Sequence, residues 1–393
     1  MERHAPFIYL RGDKKVFQLE GIRILDSAHQ YPGPYCSMLL ADLGAEVVKV
    51  ERPGVGDLAR YAPDFFRSIN RNKKSLTLNL KVTHAREILY RMVEHCDVFT
   101  EGFRPGVVKR LGIDYETLKN INPRLIYCSI SGYGQDGPYR DLPGHDLNYQ
   151  AMSGMLQCFK DKEGNLVQPG LAIGDLSSAM FAAVGILAAL MGRERNGEGR
   201  YIDVSMFDGL ISWMSTYFGI FFGTGSLERT HDAGYGIFCA GDGQEFTLGI
   251  AHEDWFWDRL CAAIGLDAFH GVKGPERRSR RKEIQESLQT IFSDKPIKEW
   301  IRILQEADVP VAPVNSMKDL VKDQHVAARE MVQEMLSPSG EINKQISFPI
   351  KLSNMSRKMR MPTPELGEHT ESILKGIGYS NEDIQRFKEE NAI

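Results

Sequence analysis

The strongest constraint on this chain lies between Gly21 and Ile130, where short β-branched runs alternate with longer helix-forming stretches. That alternation is the signature of βαβ units, in which helical crossovers join parallel strands and cover the sheet. Strands are predicted at Ile22–Asp26, Glu46–Glu51, Ser75–Leu80, Asp97–Glu101 and Leu125–Ser129, with helices between them at Pro34–Leu43, Val82–Cys96 and Tyr115–Ile121. The segment Leu176–Arg195 is rich in Ala and Leu and free of Pro, so it reads as a long, mostly buried helix that ends at Asn196 and Gly197. A strand at Tyr201–Ser205 and a helix opening near Asp208 follow.

From about Thr224 the pattern turns Gly- and aromatic-rich, with a strand at Glu245–Ile250 and helices at Asp254–Gly265 and Arg280–Ser293. A chain of 393 residues exceeds the roughly 250 to 300 that one hydrophobic core serves, so two lobes are expected. The reading is a large domain over 1–223, a small domain over 224–335, and a C-terminal segment over 336–393 that returns to the large domain. That last segment holds a basic extended stretch, Lys351–Pro362, and a helical stretch, Thr370–Asn391.

Charge and cysteine content narrow the function classes. A formal net charge of −4 gives no overall cationic field, which argues against nucleic acid as a partner. The basic clusters Arg71, Lys73, Lys74 and Arg277, Arg278, Arg280, Arg281 read as solvated faces, one of which could meet a phosphate. Six cysteines lie far apart without a Cys-x-x-Cys pair, so neither a metal site nor a disulfide framework is expected. Met1–Gln18 is charged and mixed, unlike a secretory signal, and the apolar run Met180–Gly192 is shorter than the roughly 20 residues of a membrane helix. A cytoplasmic protein that does not enter a membrane is the expectation.

Gly132-Tyr-Gly134-Gln-Asp-Gly137 matches the dinucleotide-binding spacing and follows a predicted strand. In such a fingerprint the third glycine sits in the first turn of a helix that receives the pyrophosphate. Pro138, Pro143 and Gly144 instead predict a turning chain, so a nicotinamide cofactor is not expected.

Three places carry acid–base groups. His145, in Gly144-His145-Asp146, is the side chain best suited to proton transfer near neutrality, although a lone histidine is more often a plain polar residue. Asp175, at the mouth of the long helix, reads first as an N-cap. A carboxylate there also lies beside backbone N–H groups, near Leu176, that can hold an oxyanion. Glu253, in His252-Glu253-Asp254, reads as a loop acid or helix start that could reach a cleft.

An ordered series of motifs runs over most of the chain. It comprises Leu19-Glu-Gly-Ile-Arg-Ile-Leu-Asp26, Pro32-Gly-Pro-Tyr-Cys36, Ala41-Asp-Leu-Gly-Ala-Glu-Val-Val-Lys-Val-Glu51, Arg52-Pro-Gly-Val-Gly-Asp57, Asn72-Lys-Lys-Ser-Leu76, Glu101-Gly-Phe-Arg-Pro-Gly106, Asn122-Pro-Arg-Leu-Ile126 and Gly197-Glu-Gly-Arg-Tyr-Ile-Asp-Val204. The series closely resembles the CaiB/BaiF-like family, which groups class III CoA-transferases with α-methylacyl-CoA racemases.

The resemblance implies an α/β fold: a Rossmann-like large domain with a parallel sheet that binds no NAD, a smaller α+β domain, and an interlocked dimer. It implies an acyl-CoA substrate, no prosthetic group, coenzyme A present only as part of the substrate, and a homodimer or a pairing with a paralogous chain. Lys73, Lys74 and Arg104 are the positions it assigns to the phosphates or adenine of CoA. Asp175 matches the carboxylate shared by both chemistries. In transferases that residue is a nucleophile that passes through an aspartyl-CoA thioester; in racemases it exchanges the α-proton opposite a histidine. His145 matches that histidine and Glu253 roughly matches a supporting glutamate. Because a transferase has no obvious use for His145, the resemblance puts racemisation of a 2-methylacyl-CoA first and CoA transfer between carboxylic acids second.

Overall fold

The computed structural model describes residues 17–161, 163–226, 231–336, 340 and 342–393, so the reading of Met1–Gln18 falls almost wholly outside the described residues. Two compact units emerge: residues up to Gly219 together with Glu330–Ile393, and Ile220–Arg329.

The first unit is built on a six-stranded sheet of β1 (Arg23–Ser27), β2 (Glu46–Glu51), β3 (Lys73–Thr77), β4 (Val98–Glu101), β5 (Ile126–Ser131) and β6 (Arg200–Ser205). The order is β3-β2-β1-β4-β5-β6 and every pairing is parallel. Alternate strand residues feed two cores. Leu25, Val48, Phe99 and Tyr127 pack with Ile88, Leu89 and Phe387. Ile24, Val47, Val98 and Ile126 pack with Leu40, Ala179 and Ile186. Burial on both faces explains the nearly continuous apolar strands.

Helix α1 (Pro32–Asp42) opens with proline in its first turn, where no N–H is missed. Gly33 is demanded by close approach, since a Cβ there would sit 2.1 Å from that of Ala28. Helix α2 (Asp146–Met152), which the sequence reading missed, packs against α3 (Ile173–Asn196), and α4 (Met206–Trp213) follows β6. Helix α3 is 24 residues long with a mean hydropathy of 1.8 over its most apolar stretch. By length and composition it could cross a membrane, contrary to the estimate from Met180–Gly192. Half of that stretch is buried, with Ala179, Ala182 and Ile186 set on the sheet, while Met180, Val184 and Met191 are exposed.

Two of the basic clusters are partly interior. Arg71 is buried against Asp42, and Arg277 is fully buried between Asp232 and Asp254. Their charges meet carboxylates distant in sequence, which a reading of local charge runs cannot see.

No helix starts directly after Gly137; the dinucleotide-like spacing is a turn with Gly134 and Gly137 at positive φ. Residues from Glu330 onward belong to the first unit. A hairpin of β10 (Val332–Leu336) and β11 (Ile342–Ile346) precedes an extended stretch. That stretch then covers the β3 edge, where His369 N donates to Ser75 O at 3.0 Å and Thr77 N donates to Thr370 Oγ1 at 3.0 Å. The final stretch forms two helices, Thr370–Gly376 and Asn381–Glu389, because Gly378 turns the chain at φ +93°. The second unit holds an antiparallel sheet of β7 (Tyr235–Cys239), β8 (Glu245–Gly249) and β9 (Val311–Pro313) beside a core that includes Phe246, Trp257, Phe292 and Trp300.

Candidate active site

In an open parallel sheet, loops leave the carboxyl ends of the strands, and a crevice forms where the strand order reverses. Here the reversal lies between β1 and β4. A cleft of about 730 Å³ opens there, walled by the loops after β1, β4 and β5 and by the start of α3. Asp175, His145 and Arg104 all line it, three of the residues singled out from sequence.

The floor loop after β1 is fixed from below by buried charge. Lys49 Nζ donates to Ala28 O at 2.9 Å and pairs with Asp57 at 2.8 Å, and Asp57 accepts from Gln30 N at 2.9 Å. Lys73 Nζ donates to Pro34 O and to Asn70 Oδ1 at 2.8 Å each, and to Asp26 Oδ2 at 3.3 Å. Burial alone would raise the Asp26 carboxyl, but Lys73 and Lys49 more than offset it and hold it below its ordinary value. Burial brings Lys73 down to about 8.

The expectation that Lys73 meets a phosphate is therefore corrected: its ammonium is fully buried and committed to three oxygens. Lys74 points to Glu46 and is not among the lining residues. Arg110 and Arg140, which the sequence reading missed, line the cleft with Arg104. Gly106 turns the loop after β4 at φ +82°, and the guanidinium groups of Arg110 and Arg140 come within 3.7 Å and 4.0 Å of its Cβ position. Arg140 Nε has no hydrogen-bond partner. The same loop is pinned by Glu101, which accepts from Phe103 N at 2.8 Å and bonds Ser129; burial pushes this carboxyl up to about 7.

Asp175 is not an N-cap. Helix α3 begins at Ile173 after Ala172, so Asp175 stands inside the first turn. The capping falls to Asp146, whose Oδ1 accepts from Gly174 N at 2.6 Å and from Asp175 N at 3.3 Å. Leu176 N donates to Ala172 O at 3.1 Å. The oxyanion donors expected near Leu176 are thus already engaged. Half-buried beside a second carboxylate, Asp175 is pushed up to about 7, by burial first and by Asp146 second. Tyr31 and Tyr149 lie within electrostatic reach of both acids; burial raises each hydroxyl and the two carboxylates add to it.

His145 is exposed and forms the N-cap of α2, its backbone N–H donating to Asn148 Oδ1 at 3.0 Å. Glu253 lies in the second unit. It accepts from Ala251 N and His252 N at 3.0 Å each, ahead of the helix Asp254–Ile264. Those bonds, that to His252 foremost, lower its carboxyl.

Two outcomes follow. Lys73→Ala strands Asp26 in the interior and should cost about 3 to 5 kcal/mol in urea unfolding, against about 1 kcal/mol or less for Lys74→Ala. Equal small losses would show Lys73 to be dispensable to the floor. Asp175 binds its proton more tightly folded than unfolded, so its contribution is whole below about pH 4 and is lost as pH rises to about 7. Relative to wild type, Asp175→Asn should therefore gain stability across that window and hold the gain above it, as read by melting temperature.

The model of CoA-transferase family III matches residues 19–370. The succinyl-CoA:glutarate CoA-transferase of Mus musculus is 34% identical, over 91% of this chain and 86% of its own. The succinyl-CoA:mesaconate CoA-transferase of Haloarcula marismortui is 36% identical, over 92% and 96%. A crystal structure of a CaiB/BaiF family protein from Brucella suis superposes with a TM-score of 0.82 at 28% identity, covering 92% of this chain and 99% of that one. The chain belongs to CoA-transferase family III and is an enzyme of the CoA-transferase type.

Proposed function

We propose that this chain moves coenzyme A from an acyl-CoA to a free carboxylic acid, with Asp175 as the nucleophile. The observation that carries the reading is a half-buried aspartate whose neighbouring N–H groups are occupied, facing a cleft lined by Arg104, Arg110 and Arg140. Guanidinium groups suit the phosphates of CoA, and a less stabilised carboxylate is the more reactive one.

The steps balance without an outside reagent. Asp175 attacks the thioester carbonyl, forming a mixed anhydride and releasing the CoA thiolate. The thiolate attacks the Asp175 carbonyl, giving aspartyl-CoA and the first acid, which leaves with an oxygen from Asp175. The acceptor carboxylate then attacks aspartyl-CoA, and the freed thiolate takes the acceptor's acyl group, restoring the aspartate. The dicarboxylic substrates named in the two relatives above make a dicarboxylate the first class to try as donor and acceptor.

Racemisation, ranked first from sequence because of His145, moves to second place. The relatives reported above carry transferase names, and the N–H groups meant for an enolate oxygen are occupied. His145 still lines the cleft, which is the one observation that keeps the second reading.

Incubation of succinyl-CoA with doubly ¹⁸O-labelled glutarate should yield glutaryl-CoA, and over repeated turnovers one ¹⁸O should appear in the released succinate. Asp175→Ala should abolish both. Exchange of an α-proton of a 2-methylacyl-CoA into deuterated water without acceptor, lost in His145→Ala, would instead establish the racemase. We further propose that a second copy of the chain covers the exposed side of α3, where Met180, Val184 and Met191 stand in solvent. Sedimentation should then give twice the 44.3 kDa chain mass, and a monomer at micromolar concentration would refute it.

A further inference from the structure

Asp146 belongs to the cleft, yet neither the motifs nor the proposed transfer gives it a role. Its carboxylate does two things to α3. It occupies the N–H groups of Gly174 and Asp175, and it sets a second negative charge beside Asp175. Gln150, bonded to the other oxygen, and the short helix α2 hold it there.

An aspartate in the first turn of a long helix ordinarily gains from the positive end of the helix and from free N–H groups, which stabilise the anion and blunt it as a nucleophile. Here those donors are spent on a different carboxylate. We propose that Asp146 is a positioning residue that keeps Asp175 reactive by intercepting the N–H groups of α3 that would otherwise solvate it. This inference rests on the covalent-transfer reading. The raised titration of Asp175 is what such an arrangement produces, with burial as the larger cause.

The other groups facing Asp175 act in different directions. Tyr31, ahead of α1, and Tyr149, on α2, are neutral at physiological pH. Arg104, after β4, acts on Tyr149 and would favour the anion. His145 stands at the cleft wall one residue before Asp146. Asp146 is the group that both adds negative charge and removes donors.

Two substitutions separate these effects. Asp146→Asn keeps an oxygen acceptor for Gly174 and Asp175 but removes the charge; Asp146→Ala removes both. The rate of aspartyl-CoA formation from acyl-CoA without acceptor should fall about threefold to tenfold in Asp146→Asn and further in Asp146→Ala, as expected when a nucleophile loses one to two units of basicity. The acidic limb of its pH profile should move down by about one unit or more, with CoA affinity unchanged within about twofold. A merely structural role would lower the rate and leave the limb in place, and that result overturns the proposal. A ¹³C titration of Asp175 in the free enzyme, assigned with Asp175→Asn, judges Asp146 even if wild type forms no aspartyl-CoA. A midpoint unmoved in both Asp146 variants refutes this inference alone, whereas absent aspartyl-CoA with a moved midpoint refutes only the transfer reading.

Discussion

The floor of the cleft depends on four charges placed beneath it. Asp26 on β1, Lys49 on β2, Lys73 at the start of β3 and Asp57 in the loop after β2 are buried, and the hydrogen bonds they leave over run upward to Ala28, Gln30 and Pro34. Desolvating four ions offsets most of what their attraction returns, so such a cluster is a weak source of net stability. Its consequence is positional. The turn from His29 to Tyr31 has no regular structure of its own, and the ammonium groups replace the ladder that a strand would have provided.

A second tension sits above the floor. The cleft gathers arginines near its Gly106 wall and carboxylates at the start of α3, so an anionic substrate is attracted at one point and opposed at another. The two effects are spatially sorted. The arginines stand along one wall of the cleft, and the half-buried Asp175 stands at the start of α3. Keeping Asp175 poorly solvated costs stability at neutral pH, the usual trade at a reacting group.

Most of the sheet was legible from local pattern, because strands buried on both faces carry dense β-branched runs; the strand Glu46–Glu51 and, outside the sheet, the helix Tyr115–Ile121 fall where the sequence puts them. Asp175 and His145 were legible as acid–base candidates from residue type and position, and motif order added their roles; Arg104 was legible only through motif order. Lys73 was misread because its carboxylate partner is 47 residues away, and nothing in Asn-Lys-Lys-Ser says that one lysine turns inward while its neighbour turns outward. Helix α2 was missed because Pro143 and Gly144 look like a continuing turn, although they only precede the His145 cap. With that helix went Asp146, and Arg140 disappeared into the same stretch. The signal available was i, i+3 capping chemistry, His145 to Asn148, at the end of a Pro- and Gly-rich run.

The C-terminal return has a consequence for how the molecule is made. The edge of β3 is closed by residues around 369, and Phe387 and Ala392 complete a core begun at Leu25. During synthesis that sheet must wait, with an open edge and an unfinished core, while more than a hundred residues of the second unit emerge and fold. Exposed edges and apolar faces on nascent chains are sites of mispairing. On the growing chain, therefore, the β3 edge and the core begun at Leu25 are closed only when the stretch from about residue 369 onward arrives.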